Sequence, residues 1–321
     1  MIVELRTKDA VGYGETCPLA GYSKLGPMGT WEELCSLMSS LPGSSIEQAT
    51  KFLTSTPGKD AFALTGVATA LEGLRNGSLT PSAETSVPLV GLLEGHGDIE
   101  SEIEQLRAKG YVELKVKVGF DVDSDVTRVK RIQQATRNDI QIRIDANQAY
   151  SVEEAAKLAE VLDPSIVRFF EQPLAVDEWD AMSALNQQFD VAFMLDEAIY
   201  SVADIERTAR NQVANFVKLK LMKFGSAAAL LDGIALAQSY GLNVILGNGV
   251  ASDIGCFHEA VMWERASLDL PGEMNGFTRP IESPLESPIR FANGALVLDR
   301  TQDLTLNREV LERRAANFFT V

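Results

Sequence analysis

The sequence predicts an α/β protein: a (β/α)8 barrel of the TIM type with a smaller α+β capping domain ahead of it. Three observations predict it. From about residue 86 onward, short β-rich runs alternate with amphipathic segments of helical period, an order that makes parallel strands with right-handed crossovers. Eight such runs can be read in the chain, in the roughly 200 residues that a barrel of this kind requires. No G-x-G-x-x-G follows the first run, which weakens a doubly wound, dinucleotide-binding sheet.

Residues 1–85 read as the cap. VELRT is a strand, the turn-rich VGYGETCPLAGYSKLGPMG is a long loop, and TWEELCSLMSSL and AFALTGVATALEGLRNG are helices. The barrel is expected over 86–295. Its strands are SVPLVGLL (86–93), VELKVKVG (112–119), QIRIDAN (141–147), VRFFEQP (167–173), AFMLDEA (192–198), FVKLKLMK (216–223), NVILGN (243–248) and ASLDLP (266–271). Between them, Ile99, Ile103 and Leu106 share one helix face, which Gly110 is placed to end. Ser151 with Glu154 forms a capping box, and the Ser226 to Tyr240 helix stops at Gly241. Residues 296–321 hold a short strand and a charged segment that returns to the cap.

Composition excludes several function classes. Lys plus Arg is 29 against 45 Asp plus Glu, a net charge of −16. A nucleic-acid binder needs a basic face, and anionic lipid would repel this chain. No apolar run reaches the roughly 18 residues of a membrane span, and the N-terminus has no secretory pattern. Cys17, Cys35 and Cys256 are odd in number and far apart, so they form neither a disulfide framework nor a zinc cluster. A reducing cytoplasm is the expected compartment. Only His96 and His258 supply imidazole, and no G-x-S-x-G, H-E-x-x-H or P-loop string occurs. Catalysis must rest on carboxylates, lysines and a metal they could hold.

A buried barrel strand should be nearly all apolar. Here Lys115 and Lys117, Asp145, Glu171, Asp196, Lys220 and Asn248 interrupt successive strands, mostly near their C-terminal ends. From Lys117 onward they recur every 24 to 28 residues, the βα repeat length. One position per unit therefore lies on the rim where such barrels carry their active sites. A single strand-end Asp is commonly a turn former or helix cap, and a single strand lysine snorkels. A whole row in register would be a costly buried charge cluster without a function. Three carboxylates with no soft ligand suit a hard cation such as Mg²⁺. Asn147 could orient a bound water or merely serve a turn. Lysines on the second and sixth strands would face each other across the mouth, a geometry suited to removing a proton next to a carboxylate.

The strings ELKVKVG, RIDANQAY, RFFEQPL, MLDEAIY and KLKLMKFGS together resemble the enolase superfamily, in its muconate-lactonizing-enzyme subgroup. The resemblance implies Asp145, Glu171 and Asp196 as Mg²⁺ ligands and Lys117 and Lys220 as the acid/base pair. It implies Lys115 on the substrate carboxylate, Asn248 as a further substrate contact, and Asn147 and Glu197 in support. Lys218 and Lys223 have no catalytic place in it. The activity implied is proton abstraction from a small carboxylate to give a metal-stabilised enediolate, as in o-succinylbenzoate synthases or muconate cycloisomerases. Dipeptide epimerases and N-acylamino-acid racemases are the alternative. The string G-E-x-x-P-L-x-G-Y-S at Gly14 to Ser23 is closest to the synthases, whereas SLD at Ser267 to Asp269 departs from the D-x-D of dipeptide epimerases. By the same resemblance the cap is expected to lack its first strand and mobile loop.

Two other readings are carried. A Schiff-base aldolase on Lys220 would leave the carboxylate row unexplained. A barrel that binds metal without turnover would show no solvent exchange into any substrate. A closed homo-oligomer is the expected assembly.

Overall fold

The computed structural model describes residues 1–19, 22–55, 58–75, 79–136, 139–247, 250–279 and 282–321. The chain opens on an antiparallel hairpin, β1 (Ile2–Arg6) and β2 (Val11–Glu15). Helices α1 (Gly26–Ser39), α2 (Ile46–Ser55) and α3 (Ala61–Gly73) pack beside it around Val3, Leu34, Leu37, Leu53 and Val67. The helix α2 has no counterpart among the sequence expectations. Nor does β2, whose glycines read as loop signals. They serve a close approach instead. A Cβ on Gly14 would lie 2.0 Å from the Gly66 carbonyl oxygen of α3, and one on Gly12 2.0 Å from that of Ala70. Only glycine lets strand and helix backbones meet so closely.

After β3 (Thr85–Pro88) come the units of the barrel. They are β4 (Gly91–Leu92) and α4 (Ile99–Ala108), then β5 (Glu113–Lys117) and α5 (Val122–Ala135). Next are β6 (Gln141–Asp145) and α6 (Val152–Ala159), β7 (Val167–Glu171) and α7 (Trp179–Gln188). The last are β8 (Phe193–Leu195) and α8 (Val202–Arg210), β9 (Phe216–Leu219) with α9 (Leu221–Phe224) and α10 (Ala227–Ser239), and β10 (Asn243–Leu246) with α11 (Asp253–Arg265). Strands β4 to β10 form one parallel sheet in chain order. The tail adds β11 (Arg290–Ala292), β12 (Ala295–Leu298) and α12 (Arg308–Arg314); β12 pairs with β3, and Arg308 of α12 pairs with Glu4 of the cap.

Two expectations for the barrel strands change. The run at 86–93 splits, because β3 joins the tail strands rather than the barrel. The run at 266–271 is no strand; Ser267 has a φ of +52° there, and Pro271 has no N–H to give a ladder. The wall closes one step later. Gly272 bridges Leu89 in parallel, the Val90 amide donates to the Gly272 carbonyl at 2.9 Å, and the Glu273 amide donates to the Leu246 carbonyl at 2.9 Å.

Strand alternation sorts the side chains. Leu114, Val116, Ile142, Ile144, Phe170, Phe193, Val217 and Leu219 face outward and bury against Ile103, Val129, Ile132, Leu158, Ile205 and Leu230 of the helices. Inside the barrel, Phe169, Met194, Phe216 and Ile245 form a separate apolar cluster. Two residues further along those strands the interior turns polar, with Glu171, Asp196 and Lys218. The expected caps are present: Gly110 has a φ of +91°, and Ser151 and Glu154 form the capping box. Among the described residues no helix is long and apolar enough to cross a membrane.

Two carboxylates seat the cap on the barrel. Glu15 accepts from the Ser252 amide (2.9 Å), the Ser252 hydroxyl (2.9 Å) and the Gly255 amide (2.8 Å) at the start of α11. Glu72 accepts from the Ala227 and Ala228 amides at the start of α10, at 3.0 and 3.1 Å. Each satisfies helix N-terminal donors and meets the positive end of a helix dipole. The glutamate of the G-E-x-x-P string is thus a docking group between cap and barrel.

His258 lies inside α11 with 1% exposure, and burial lowers its pKa to about 4. Between the ordinary imidazole value and about 4, the unfolded chain binds a proton that the native chain refuses. Stability therefore falls as pH falls through that window, by roughly 3 kcal/mol in all. Thermal melts at pH 7 and pH 5 should show a smaller pH-dependent loss in His258→Leu than in the parent chain; equal losses would contradict this.

Candidate active site

The polar layer sits where the strands end. Asp145 stands opposite Glu171 in the β6–β7 register and opposite Lys117 in β5–β6. Asp196 follows β8 directly. Its backbone is fixed by Gln172, whose side-chain oxygen accepts from the Asp196 amide at 3.0 Å and the Ala198 amide at 3.2 Å. Gln172 itself has a φ of +35°. Lys220 follows β9, with α9 starting at once behind it. All three carboxylates are buried.

Lysines surround them. Lys115 lies 2.8 Å from Asp145, 2.9 Å from Glu171 and 2.9 Å from Glu273. Lys218 lies 3.1 Å from Glu171 and 3.5 Å from Asp196, and pairs with Glu273 as well. At one flank Lys117 bonds to Asp145 and Asn147. At the other, Lys220 lies 2.8 Å from Asp196. Lys223 donates to the Asp196 and Ile199 carbonyls, at 2.7 and 3.0 Å.

The electrostatics follow from burial and pairing. Burial pushes the carboxylates up, but Lys115, Lys117 and Lys218 hold Asp145 below its ordinary value. Lys220, Lys218 and Lys223 hold Asp196 well below it. Glu171 is raised, by burial and then by the charge of Asp145. Burial would lower Lys115 and Lys218, yet the surrounding carboxylates raise both. Burial wins for Lys223, which is lowered to about 8.

The sequence-predicted residues Lys115, Lys117, Asp145, Asn147, Glu171, Asp196, Glu197 and Lys220 are brought together here. Asn248 lies outside the described residues. Lys115 is buried, set between Asp145 and Glu171 rather than at the open rim. Glu273 and Tyr22 are additions that sequence reading missed. Glu273 continues the row one repeat beyond Asn248, a signal hidden by ending the last strand at Pro271. Tyr22 comes from the cap, and no spacing rule could have paired it with Glu197, to which its hydroxyl donates at 2.9 Å.

The donor chemistry fits a divalent cation: hard carboxylate oxygens, one from each of three adjacent strand ends. Among the described residues, though, no three His, Cys, Asp or Glu side chains are gathered about one point, since Lys115 and Lys218 lie between the carboxylates. Beneath the layer Arg143, fully buried, donates to Glu113 at 2.5 Å and to the Pro271 carbonyl at 2.6 Å. Its guanidinium lies 5.1 Å from the Phe169 ring centroid, and Arg168 donates to the same Glu113 oxygen at 2.9 Å.

Comparison with known proteins gives a consistent picture. A family model described as enolase C-terminal domain-like matches residues 98–300. Muconate cycloisomerase 1 of Acinetobacter baylyi is 25% identical over 95% of this chain and 88% of its own length. The hydrophobic dipeptide epimerase of Enterococcus faecalis is 24% identical over 77% of this chain and 73% of its own. The solved muconate lactonizing enzyme from Pseudomonas putida superposes with a TM-score of 0.86 at 24% identity, covering 97% of this chain and 93% of that one.

Proposed function

The chain belongs to the enolase C-terminal domain-like family, and from that premise we propose a Mg²⁺-dependent enzyme that removes a proton from the carbon next to a substrate carboxylate. The observation that carries the reading is the pair of lysines flanking the carboxylate row, Lys117 on Asp145 and Lys220 on Asp196. A small carboxylate lying over the row would present its α-carbon between two amines on opposite walls. One amine takes the proton and leaves an enediolate; the other is placed to return a proton or to protonate a leaving group. Asp145, Glu171 and Asp196 would hold the cation, which supplies positive charge against the substrate carboxylate when bound. Lys115 adds a fixed positive charge beneath it, and Asn147 and Glu197 brace the two flanks.

Among the family's reactions, elimination or cycloisomerisation of the o-succinylbenzoate synthase or muconate cycloisomerase type is favoured, since the likeness to a muconate cycloisomerase runs over 95% of the chain. Epimerisation is the second reading. Amines on both flanks suit proton removal from one face and return to the other, although Ser267 stands where dipeptide epimerases carry an aspartate.

A panel of muconates, N-acyl amino acids, dipeptides and the o-succinylbenzoate precursor, incubated in D₂O, tests the reading. Deuterium should enter the α-carbon of at least one compound, or its product should form. EDTA should abolish this and Mg²⁺ restore it; activity indifferent to chelation would overturn the proposal.

A further inference from the structure

The two flanking lysines are not equally covered. The Lys117 side chain is 42% exposed and that of Lys220 6%. The cover over Lys220 comes from the cap, in the loop between β2 and α1. The Tyr22 ring centroid lies 4.3 Å from the Lys220 Nζ, within the range of a cation–π contact. Tyr22 is held at two points, one on its side chain and one on its backbone. Its hydroxyl donates to Glu197 Oε1 at 2.9 Å, and the Tyr22 carbonyl accepts from the Tyr200 hydroxyl at 2.9 Å. Glu197 is braced in turn, because the same Oε1 accepts from Asn147 Nδ2 at 2.8 Å. Its Oε2 is buried with no hydrogen-bond partner among the described residues. Those two bonds on Oε1 therefore carry the hydrogen-bond anchoring of the carboxylate.

We propose that Tyr22 is a positioning residue for Lys220: the cap lays this ring over the amine, aims it along Asp196, and locks the ring by its hydroxyl on Glu197. The proposal rests on the reading of Lys220 as one of the two acid/base groups. It makes the seating of the cap a condition for that amine to be set, while Lys117 on the far flank stays open to solvent. Without the ring, Lys220 would keep Asp196 as its partner but lose its cover on the open side.

The test needs neither substrate nor metal. The intact protein is treated with sulfo-N-hydroxysuccinimidyl acetate at fixed pH, and acetylation of Lys117 and Lys220 is followed by peptide mass spectrometry. In the parent protein Lys117 should react faster than Lys220. In Tyr22→Ala, Lys220 should speed up on the order of tenfold, with Lys117 in the same sample unchanged. In Tyr22→Phe, which keeps the ring but loses its lock on Glu197, Lys220 should speed up by clearly less than in Tyr22→Ala. The proposal is overturned if Lys220 reacts alike in parent and Tyr22→Ala, if both lysines speed up together as in a loosened fold, or if Tyr22→Phe behaves like Tyr22→Ala. Failure here would leave proton abstraction standing, since that reading falls only on the solvent-exchange and chelation experiment.

Discussion

Lys220→Ala and Lys117→Ala should each slow α-proton exchange by about 10²- to 10⁴-fold, the range a positioned general base supplies. The fold should survive both changes. Asp196 keeps Lys218 and Lys223 within 3.5 Å when Lys220 is removed, and Asp145 keeps Lys115 at 2.8 Å when Lys117 is removed. Melting temperatures near that of the parent would separate loss of chemistry from loss of structure. Stereochemistry sharpens the result. If the two amines work on opposite faces of the α-carbon, each variant should retain exchange with one enantiomer of a chiral substrate and lose it with the other. Full activity in either variant would remove that lysine from the mechanism.

The largest effect on stability is expected below the site, at Arg143→Leu. Glu113 is 1% exposed and would be left with Arg168, whose side chain is 28% exposed. The Pro271 carbonyl would lose its guanidinium donor too. Breaking one partner out of a buried pair costs about 3–5 kcal/mol, because the remaining charge is stranded. Denaturant unfolding of Arg143→Leu measures it. The double change Arg143→Leu with Glu113→Gln should recover part of the loss, since it removes the stranded charge. A cost under about 1 kcal/mol would mean that the pair behaves like one on the surface.

Much of this arrangement was legible in the sequence for a physical reason. A polar residue in a buried strand is conspicuous, and the βα repeat spaces such residues evenly, so Lys117, Asp145, Glu171, Asp196 and Lys220 stood out together. The helix stop at Gly110 and the helix start at Ser151 were local in the same way. What escaped was non-local or disguised. Gly12 and Gly14 looked like turn formers because sequence does not tell a glycine needed for bending from one needed for contact. Glu273 lay past a proline that shifted the last stave. Lys218, two residues before Lys220 and so on the same side of the strand, joined the carboxylates although the family pattern gave it no place. Tyr22 and Glu15 do their work across the cap–barrel boundary, where no periodicity reaches.

The closure at Gly272 and Glu273 has a further consequence. Strands β4 and β10 end the parallel sheet on either side, and a sheet end left bare offers a row of amides and carbonyls on which another chain can pair. A proline, a glycine and a charged residue now lie across that gap, a composition that bonds to both margins yet makes a poor template itself. The same short stretch that completes the wall therefore also guards the protein against edge-to-edge aggregation.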